Sequence, residues 1–374
     1  MTNRPVIIID ETLREGMQYR GLMFSKKQRL AILDFQEQIR VDICQAGYPP
    51  AHEQEADMVK ALVEHAKKNK YNIRMAAMGR AGLHDAVILL DTGVNDFHLH
   101  LQIAPDLPED ELNRTLNNLL TVHQFIQDKA PHAKLCLIML DMGRSDEKTL
   151  KHCDRFCSHH KIDMLSLPDT SGIMAPNQVF DTITRLFLNP GNSKISIHCH
   201  NDMGMATANS IMGIIAGGNV LEASVLGIGE RNGIADLYTA ARVLKDQGFL
   251  INLNTRDEAT FKAYYQYIDS IVYEQLGDHL LNVNTPFFGD AVKTHVAGTH
   301  ATGEYGMATE ERYYLNSLCG RNMVIKFLNL HQIHCPENQL GRLTREIKTQ
   351  SIELNRSLMP DDIKKIIVLL ANSG

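Results

Sequence analysis

The sequence predicts a (β/α)8 barrel, because eight short apolar runs alternate with longer helical patterns along its first 250 residues. Eight strand-helix units within this length are typical of such a barrel. The runs are short and largely apolar, as expected of parallel strands that are buried on both faces. A doubly wound open sheet is the alternative, but that fold requires no particular number of units.

The eight runs predict the strands in chain order. Residues 6–9 lead to a helix that Ser25 is expected to cap, and residues 42–46 lead to a helical pattern over residues 53–69. A helical segment also follows each later run, and these runs cover residues 73–78, 96–101, 133–140, 163–168, 194–200 and 219–227.

Two domains follow from this pattern. We assign residues 1–250 to the barrel and residues 251–374 to a mainly helical C-terminal subdomain, which begins with an amphipathic run over residues 258–275. A hydrophobic share of 44% is ample for a sizeable core.

The charge composition argues against two classes of partner. The net charge is -6 and the isoelectric point is near 6.3, so no basic surface for nucleic acid or an anionic membrane is expected. The N-terminal apolar run is too short for a signal peptide, and no run reaches the ~18 apolar residues of a membrane span. We therefore expect a soluble, cytoplasmic protein.

Two histidines define a candidate metal site at the end of the seventh strand. His198 and His200 alternate with Ile197 and Cys199, so both imidazoles project to the same side of the strand. Acidic residues follow the first strand at the same end of the barrel, where active sites of this fold lie. Two imidazoles and a carboxylate suit a divalent metal. The alternative is a pair of hydrogen-bonded barrel histidines without a metal.

Five motifs follow one another along the predicted barrel. They are DETLREGMQ (10–18), QAGYPP (45–50), LPDTSGIMAP (167–176), HCHNDMGMATANS (198–210) and GIGERNG (227–233). The same motifs in the same order occur in the DRE-TIM metallolyases, which include isopropylmalate, citramalate and homocitrate synthases and hydroxymethylglutaryl-CoA lyase. The chain resembles this family over the whole barrel, and Glu15 makes it most similar to homocitrate synthase.

The resemblance implies a Claisen-type condensation of acetyl-CoA with a 2-oxo acid such as 2-oxoglutarate, in amino-acid or organic-acid biosynthesis. It implies that Glu15, His198 and His200 hold the metal, which acts as a Lewis acid on the oxo acid. Mg²⁺, Mn²⁺ and Zn²⁺ all accept such ligands. Arg14 would stabilise the oxygen that gains negative charge.

The resemblance also implies three substrate-binding residues in the barrel. Thr170, after the sixth strand, matches the family position that binds the substrate carboxylate. Arg80, after the third strand, matches an arginine near the same carboxylate, although an arginine at a strand end is often only structural. Gln18 would help to position the groups that surround the metal and the substrate.

The segment after the barrel is similar to the one that completes the active site in the synthases. Its H-x-A-G-x-H pattern makes His300 the candidate acid or base and His295 its supporting residue, with Tyr305 as an associated hydroxyl. Because this segment often crosses to a partner subunit in such synthases, the resemblance implies a homodimer.

Two departures from the family pattern leave the substrate open. Gln45 stands where the family usually has glutamate, and Leu140 precedes Asp141 where a Glu-Asp pair is usual. The lyase reaction is disfavoured, because hydroxymethylglutaryl-CoA lyases carry a catalytic cysteine in the loop where this chain has none. The alternatives are an isopropylmalate or citramalate synthase-like enzyme acting on another oxo acid, and a non-catalytic metal-binding barrel.

Overall fold

A closed barrel of eight parallel strands forms the first part of the chain. The structure is a computed structural model that describes residues 3–101, 103, 107–139, 141–187, 193–296 and 312–372. Each strand pairs with the next along the chain, and the first strand pairs with both the second and the eighth, which closes the sheet. The predicted (β/α)8 barrel is confirmed.

Each strand of the barrel lies within or close to a predicted run, and a helix follows each one. The strands are β1 (Pro5–Asp10), β2 (Ile43–Gln45), β3 (Arg74–Arg80), β4 (Asp96–Leu101), β5 (Lys134–Met139), β6 (Met164–Asp169), β7 (Lys194–Cys199) and β8 (Val220–Ala223). The helices are α1 (Lys26–Gln38), α2 (Glu53–Asn69), α3 (Leu83–Thr92), α4 (Glu109–Lys129), α5 (Glu147–His159), α6 (Pro176–Phe187), α7 (Ala206–Ala216) and α8 (Leu237–Asp246).

Helix α1 begins where the sequence predicts. The Ser25 hydroxyl accepts a hydrogen bond from the backbone N–H of Gln28, whose side chain accepts one from the backbone N–H of Ser25. This reciprocal capping box satisfies two backbone donors that the first turn leaves unpaired.

The chain divides into two compact units, residues 1–280 and residues 281–374. Helix α9 (Glu258–Leu276) belongs to the first unit with the barrel. The sequence-based boundary at residue 250 stays a prediction. In the described part of the chain, no helix combines the length and the apolar character that crossing a membrane requires.

Helix α9 holds the C-terminal end of β1. The Tyr264 hydroxyl donates a hydrogen bond of 3.0 Å to Oδ2 of Asp10, and the Tyr264 ring stacks on Phe35 of α1. The other Asp10 oxygen accepts from the backbone N–H of Thr12. Burial raises the pKa of Asp10. These bonds fix the turn that leads from β1 towards the mouth of the barrel.

The second unit is mainly helical and has its own core. Helices α10 (Arg321–Leu330), α11 (Leu340–Glu353) and α12 (Pro360–Asn372) pack around a buried apolar cluster. The second unit also contains two short parallel strands that pair with each other, β10 (Thr294–His295) and β11 (Arg312–Tyr313). The remaining strand, β9 (Leu250–Ile251), belongs to the first unit and pairs with β1.

Removal of the Tyr264 hydroxyl tests the anchor of β1. We expect Tyr264→Phe to lower the free energy of unfolding by about 1–3 kcal/mol, because it leaves an oxygen of buried Asp10 without this donor. Chemical denaturation of the variant and of a matched control, Tyr273→Phe on the exposed side of the same helix, measures the difference. Equal stability of the two variants would show that the bond does not hold the strand.

Candidate active site

His198 and His200 lie together at the C-terminal end of the barrel. Both are 5% exposed, and their Nε2 atoms lie 3.3 Å apart. His198 is in β7 and His200 follows it, so strand alternation places both rings on one side of the chain. Two ring nitrogens that face each other at this distance are suited to share one cation.

Glu15 reaches the same region from the short 3-10 helix Glu15–Gln18, which follows β1. Its Oε1 accepts a hydrogen bond of 2.9 Å from the backbone N–H of Glu230. Gly229 packs directly against it, because a Cβ there would lie 2.9 Å from Cγ of Glu15. Burial opposes ionisation of Glu15, but Arg14, His198 and the Glu230 N–H outweigh burial and lower its pKa.

Two further carboxylates lie beside His198, and sequence analysis did not find them as site residues. Nδ1 of His198 lies 2.9 Å from Oε2 of Glu11 and 3.2 Å from Oε2 of Glu222. Glu222 lies on β8, and its Oε1 accepts hydrogen bonds from Ser166 and Ser196 at 2.7 and 2.5 Å. A carboxylate in a buried apolar strand needs such partners, so Glu222 within "VLEA" was the available signal.

The pKa values of the two histidines are shifted in opposite directions. Burial alone would lower the pKa of His198, but Glu11 and Glu222 outweigh burial and raise it to about 10. Burial and the neighbouring charge of His198 lower the pKa of His200 to about 3. His200 therefore presents a neutral imidazole.

The charge balance of the site fits a divalent cation. Three buried carboxylates, Glu11, Glu15 and Glu222, surround one guanidinium, that of Arg14. Even with His198 protonated, these carboxylates outnumber the two cations Arg14 and His198, and a divalent cation bound in place of the His198 proton would neutralise the excess negative charge. In addition, Nδ1 of His200 has no hydrogen-bond partner among the described residues.

Two positions for such a cation are compatible with the residue types. Glu11, His198 and Glu222 place one ligand atom each within 4.8 Å of one another, on the Nδ1 side of His198. However, Oε2 of Glu11 also lies 3.0 Å from Nη2 of Arg14, whose positive charge would repel a metal there. The second position is the Nε2 side of His198, which faces His200 and lies near Glu15, and Arg14 borders this position too through its ion pair with Glu15.

Arg14 is fixed by four side chains at the mouth of the barrel. Its Nε donates to Oε1 of Gln45, its Nη1 to Glu15 and to Gln18, the latter at 3.1 Å, and its Nη2 to Glu11 at 3.0 Å. Burial opposes the charge, yet Glu11 and Glu15 raise the pKa of Arg14. The site therefore contains a permanent cation in a fixed orientation.

Thr170 follows β6 on the same face of the barrel. Its Oγ1 accepts a hydrogen bond of 2.9 Å from the backbone N–H of Asp141, and no described residue accepts its hydroxyl hydrogen, which can therefore donate to a ligand. Its carbonyl accepts a 2.5 Å bond from Arg231 of the post-β8 loop, whose charge also contributes to the lowered pKa of His200. Thr170 thus lies close to the histidine pair.

The departures from the family pattern have specific partners. The Gln45 amide lies 2.8 Å from Nδ1 of His98 on β4. Asp141 interacts with Arg144 and accepts a bond of 2.9 Å from the Ser171 hydroxyl. Leu140 lies outside the described residues.

Arg80, His295, His300 and Tyr305 are the remaining predicted site residues. Arg80 is exposed, and its guanidinium donates to both oxygens of Asp85 at 2.9 and 3.0 Å. His295 lies in β10 of the second unit, with its ring centroid 5.8 Å from that of Tyr313. His300 and Tyr305 lie outside the described residues.

A cavity of about 710 Å³ opens beside Arg14. Arg14 and Gln18 line it on the side of the carboxylate and histidine cluster, Tyr48 lines it from the loop after β2, and His100 lines it from β4. Burial lowers the pKa of His100. The apolar part of its wall comes from Met17, Met23, Phe24, Met58 and Met78.

Residues 5–263 match the model of the HMGL-like family. The chain belongs to this family. Its 2-isopropylmalate synthase relative from Sulfolobus acidocaldarius is 27% identical over all of this chain and 97% of that protein. A homocitrate synthase from Pyrococcus abyssi is 29% identical over 82% of this chain and 81% of that one. The homocitrate synthase AksA of Methanosarcina acetivorans is 26% identical over 96% and 89%.

Solved structures of the family share the barrel. The HMG-CoA lyase of Bacillus subtilis superposes with a TM-score of 0.61 at 17% identity, over 74% of this chain and 95% of that one. The hydroxymethylglutaryl-CoA lyase of Pseudomonas aeruginosa gives 0.60 at 16% identity, over 74% and 97%. At these identities the likeness establishes the fold alone.

Single alanine substitutions test the ligands predicted from the sequence. We expect Glu15→Ala, His198→Ala and His200→Ala each to weaken Mn²⁺ binding by more than about tenfold, because each removes one ligand. Calorimetric titration measures the affinity, and circular dichroism checks the fold. The matched control is His132→Ala, at an exposed histidine. Wild-type affinity in any ligand variant would remove that residue from the assignment.

Proposed function

We propose that the protein is an acyl-CoA:2-oxo acid acyltransferase that joins acetyl-CoA to a 2-oxo acid by metal-dependent Claisen-type condensation. The observation that carries the proposal is the clustering of Arg14, Glu15, His198 and His200 at one end of the barrel. The synthase relatives support it, because similarity to the isopropylmalate synthase of Sulfolobus acidocaldarius extends over the whole chain, whereas the HMG-CoA lyase of Bacillus subtilis covers 74% of it.

The chemistry divides among the residues of this chain. A divalent cation held by Glu15, His198 and His200 would polarise the ketone of the oxo acid. The Thr170 hydroxyl would donate to the carboxylate of the oxo acid, and Arg14 would stabilise the oxygen that becomes an alkoxide. Their fixed positions, set by hydrogen bonds on the far side of each group, reduce the reorganisation that the reaction requires.

Proton transfer is assigned to His300 in the segment after the barrel. An imidazole that titrates near neutrality is suited to remove a proton from the acetyl methyl group. The resulting carbon nucleophile attacks the ketone carbon, and hydrolysis of the thioester then releases coenzyme A. His295 and Tyr305 are proposed to support His300, and Gln18 to order the substrate shell beside Arg14.

Two classes of oxo acid are candidates. The homocitrate synthase-like motifs favour a dicarboxylic substrate such as 2-oxoglutarate. The cavity beside Arg14 favours the second candidate, an isopropylmalate synthase-like reaction on an oxo acid with an apolar side chain, because methionine and phenylalanine side chains form much of its wall. Of the two cations in that wall besides Arg14, Arg29 is paired with Glu55 at 2.8 Å, whereas Lys26 has no ion pair among the described residues and is the group that a distal carboxylate would meet.

The resemblance to the synthases also supports a cytoplasmic homodimer that binds neither nucleic acid nor membranes. Arg80 is proposed to contribute to oxo-acid binding. Its partner Asp85 would have to release the guanidinium for that contact.

Thiol release from acetyl-CoA tests the function and the substrate together. We expect release only when Mn²⁺ or Mg²⁺ and one 2-oxo acid are both present, and faster release with 3-methyl-2-oxobutanoate than with 2-oxoglutarate. A thiol reagent follows the product across a panel of both oxo-acid classes. Release without any oxo acid would indicate simple thioester hydrolysis, and no release with any oxo acid would favour a non-catalytic barrel.

Substitution of His300 tests the assignment of proton transfer. We expect His300→Ala to lower kcat by about 10²–10⁴-fold while the KM for the oxo acid stays close to the wild-type value, since the group moves a proton and does not bind the oxo acid. The matched control in the same unit is His334→Ala, at an exposed histidine. An unchanged kcat would assign His300 a structural role.

A further inference from the structure

We propose that Glu11 is the positioning residue of this site, because one of its oxygens lies within ion-pair distance of both Arg14 and His198. The inference rests on the proposed function, in which these two residues stabilise the alkoxide and bind the metal. Glu11 itself is expected to touch neither substrate nor metal.

The side-chain contacts of Glu11 are with Arg14 and His198. Its Oε2 lies 3.0 Å from Nη2 of Arg14 and 2.9 Å from Nδ1 of His198. Its Oε1 has no hydrogen-bond partner among the described residues, although the residue is fully buried. A carboxylate that served only the barrel would be bonded to the barrel, as Glu222 is to Ser166 and Ser196.

Arg14 depends on this carboxylate for charge. Its carboxylate partners in the described structure are Glu11 and Glu15, while Gln45 offers Nε only a neutral amide oxygen. When Glu15 binds a metal, part of its charge is directed to that ion. Glu11 then remains as the counter-ion that keeps a buried guanidinium stable in one orientation.

His198 depends on Glu11 in a different way. A carboxylate at Nδ1 favours the imidazole tautomer that carries its proton on that atom, which leaves Nε2 free as a ligand. Nε2 is the atom that faces His200. Glu11 therefore orients one ligand of the metal and one stabiliser of the alkoxide from a single position.

Moving the carboxylate from position 11 to position 45 separates the effect of Glu11 on Arg14 from its effect on His198. Glu11→Gln keeps the side-chain shape and removes the charge, and Gln45→Glu restores a carboxylate on the Nε side of Arg14. We expect Glu11→Gln to weaken Mn²⁺ binding by about 10–100-fold and to lower kcat for thiol release, with the KM for acetyl-CoA unchanged. In the double variant we expect kcat to recover and Mn²⁺ binding to stay weak, because Gln45 contacts Arg14 and not His198.

Calorimetric Mn²⁺ titration and steady-state kinetics are measured on the folded full-length chain, with exposed Glu64→Gln as the matched control. Unchanged Mn²⁺ affinity and kcat in Glu11→Gln would overturn the inference. A loss in both without recovery of kcat in the double variant, together with a lower melting temperature, would also overturn it, because that pattern is structural.

The experiment still decides the inference if Glu11→Gln does not fold or if the wild-type protein shows no turnover. If Glu11→Gln does not fold, Glu11→Asp keeps the charge but withdraws it from both partners, and the same losses are expected. If the wild-type protein shows no turnover with any oxo acid, the proposed function fails. The comparison of Mn²⁺ affinities then decides by itself whether Glu11 positions His198.

Discussion

The buried negative charge at the end of the barrel is the constraint on which the site depends. Glu11, Glu15 and Glu222 are each no more than 2% exposed, and unpaired carboxylates in such surroundings would cost several kcal/mol each. Arg14 and His198 stabilise them, and a divalent cation would complete the balance. The same charges hold the guanidinium and the imidazoles in place, so the features that make the folded site stable also prepare it for chemistry.

The barrel supplies the positions of these groups through regular strand geometry. His198 on β7 and Glu222 on β8 project inward because strand alternation directs every second side chain into the barrel. Glu11, Arg14 and Glu15 come from the turn after β1, whose start is held by Asp10 and its bonds to α9. Carboxylates from the turn after β1 and from β8 thereby converge on one histidine, an arrangement that typically sets which ring nitrogen is free.

The HMGL-like family contains proteins named as synthases and as lyases, and this chain combines features relevant to both. Its barrel superposes on the lyases, while its similarity to synthases continues into the second unit. The methionine-lined cavity beside Arg14 is a property of this chain's own side chains.

The sequence by itself determined the barrel, the N-cap at Ser25 and the motifs that contain Arg14, Glu15, His198 and His200, because period, caps and strand ends are local properties of the chain. The sequence also showed that Gln45 replaces the glutamate usual in the family, but it did not show that Gln45 contacts Arg14 and His98. Only the tertiary structure decided that Glu11 and Glu222 flank His198, and that Arg80 pairs with Asp85. Those contacts join residues from different strands or depend on the direction of a side chain, and neither is encoded in local pattern.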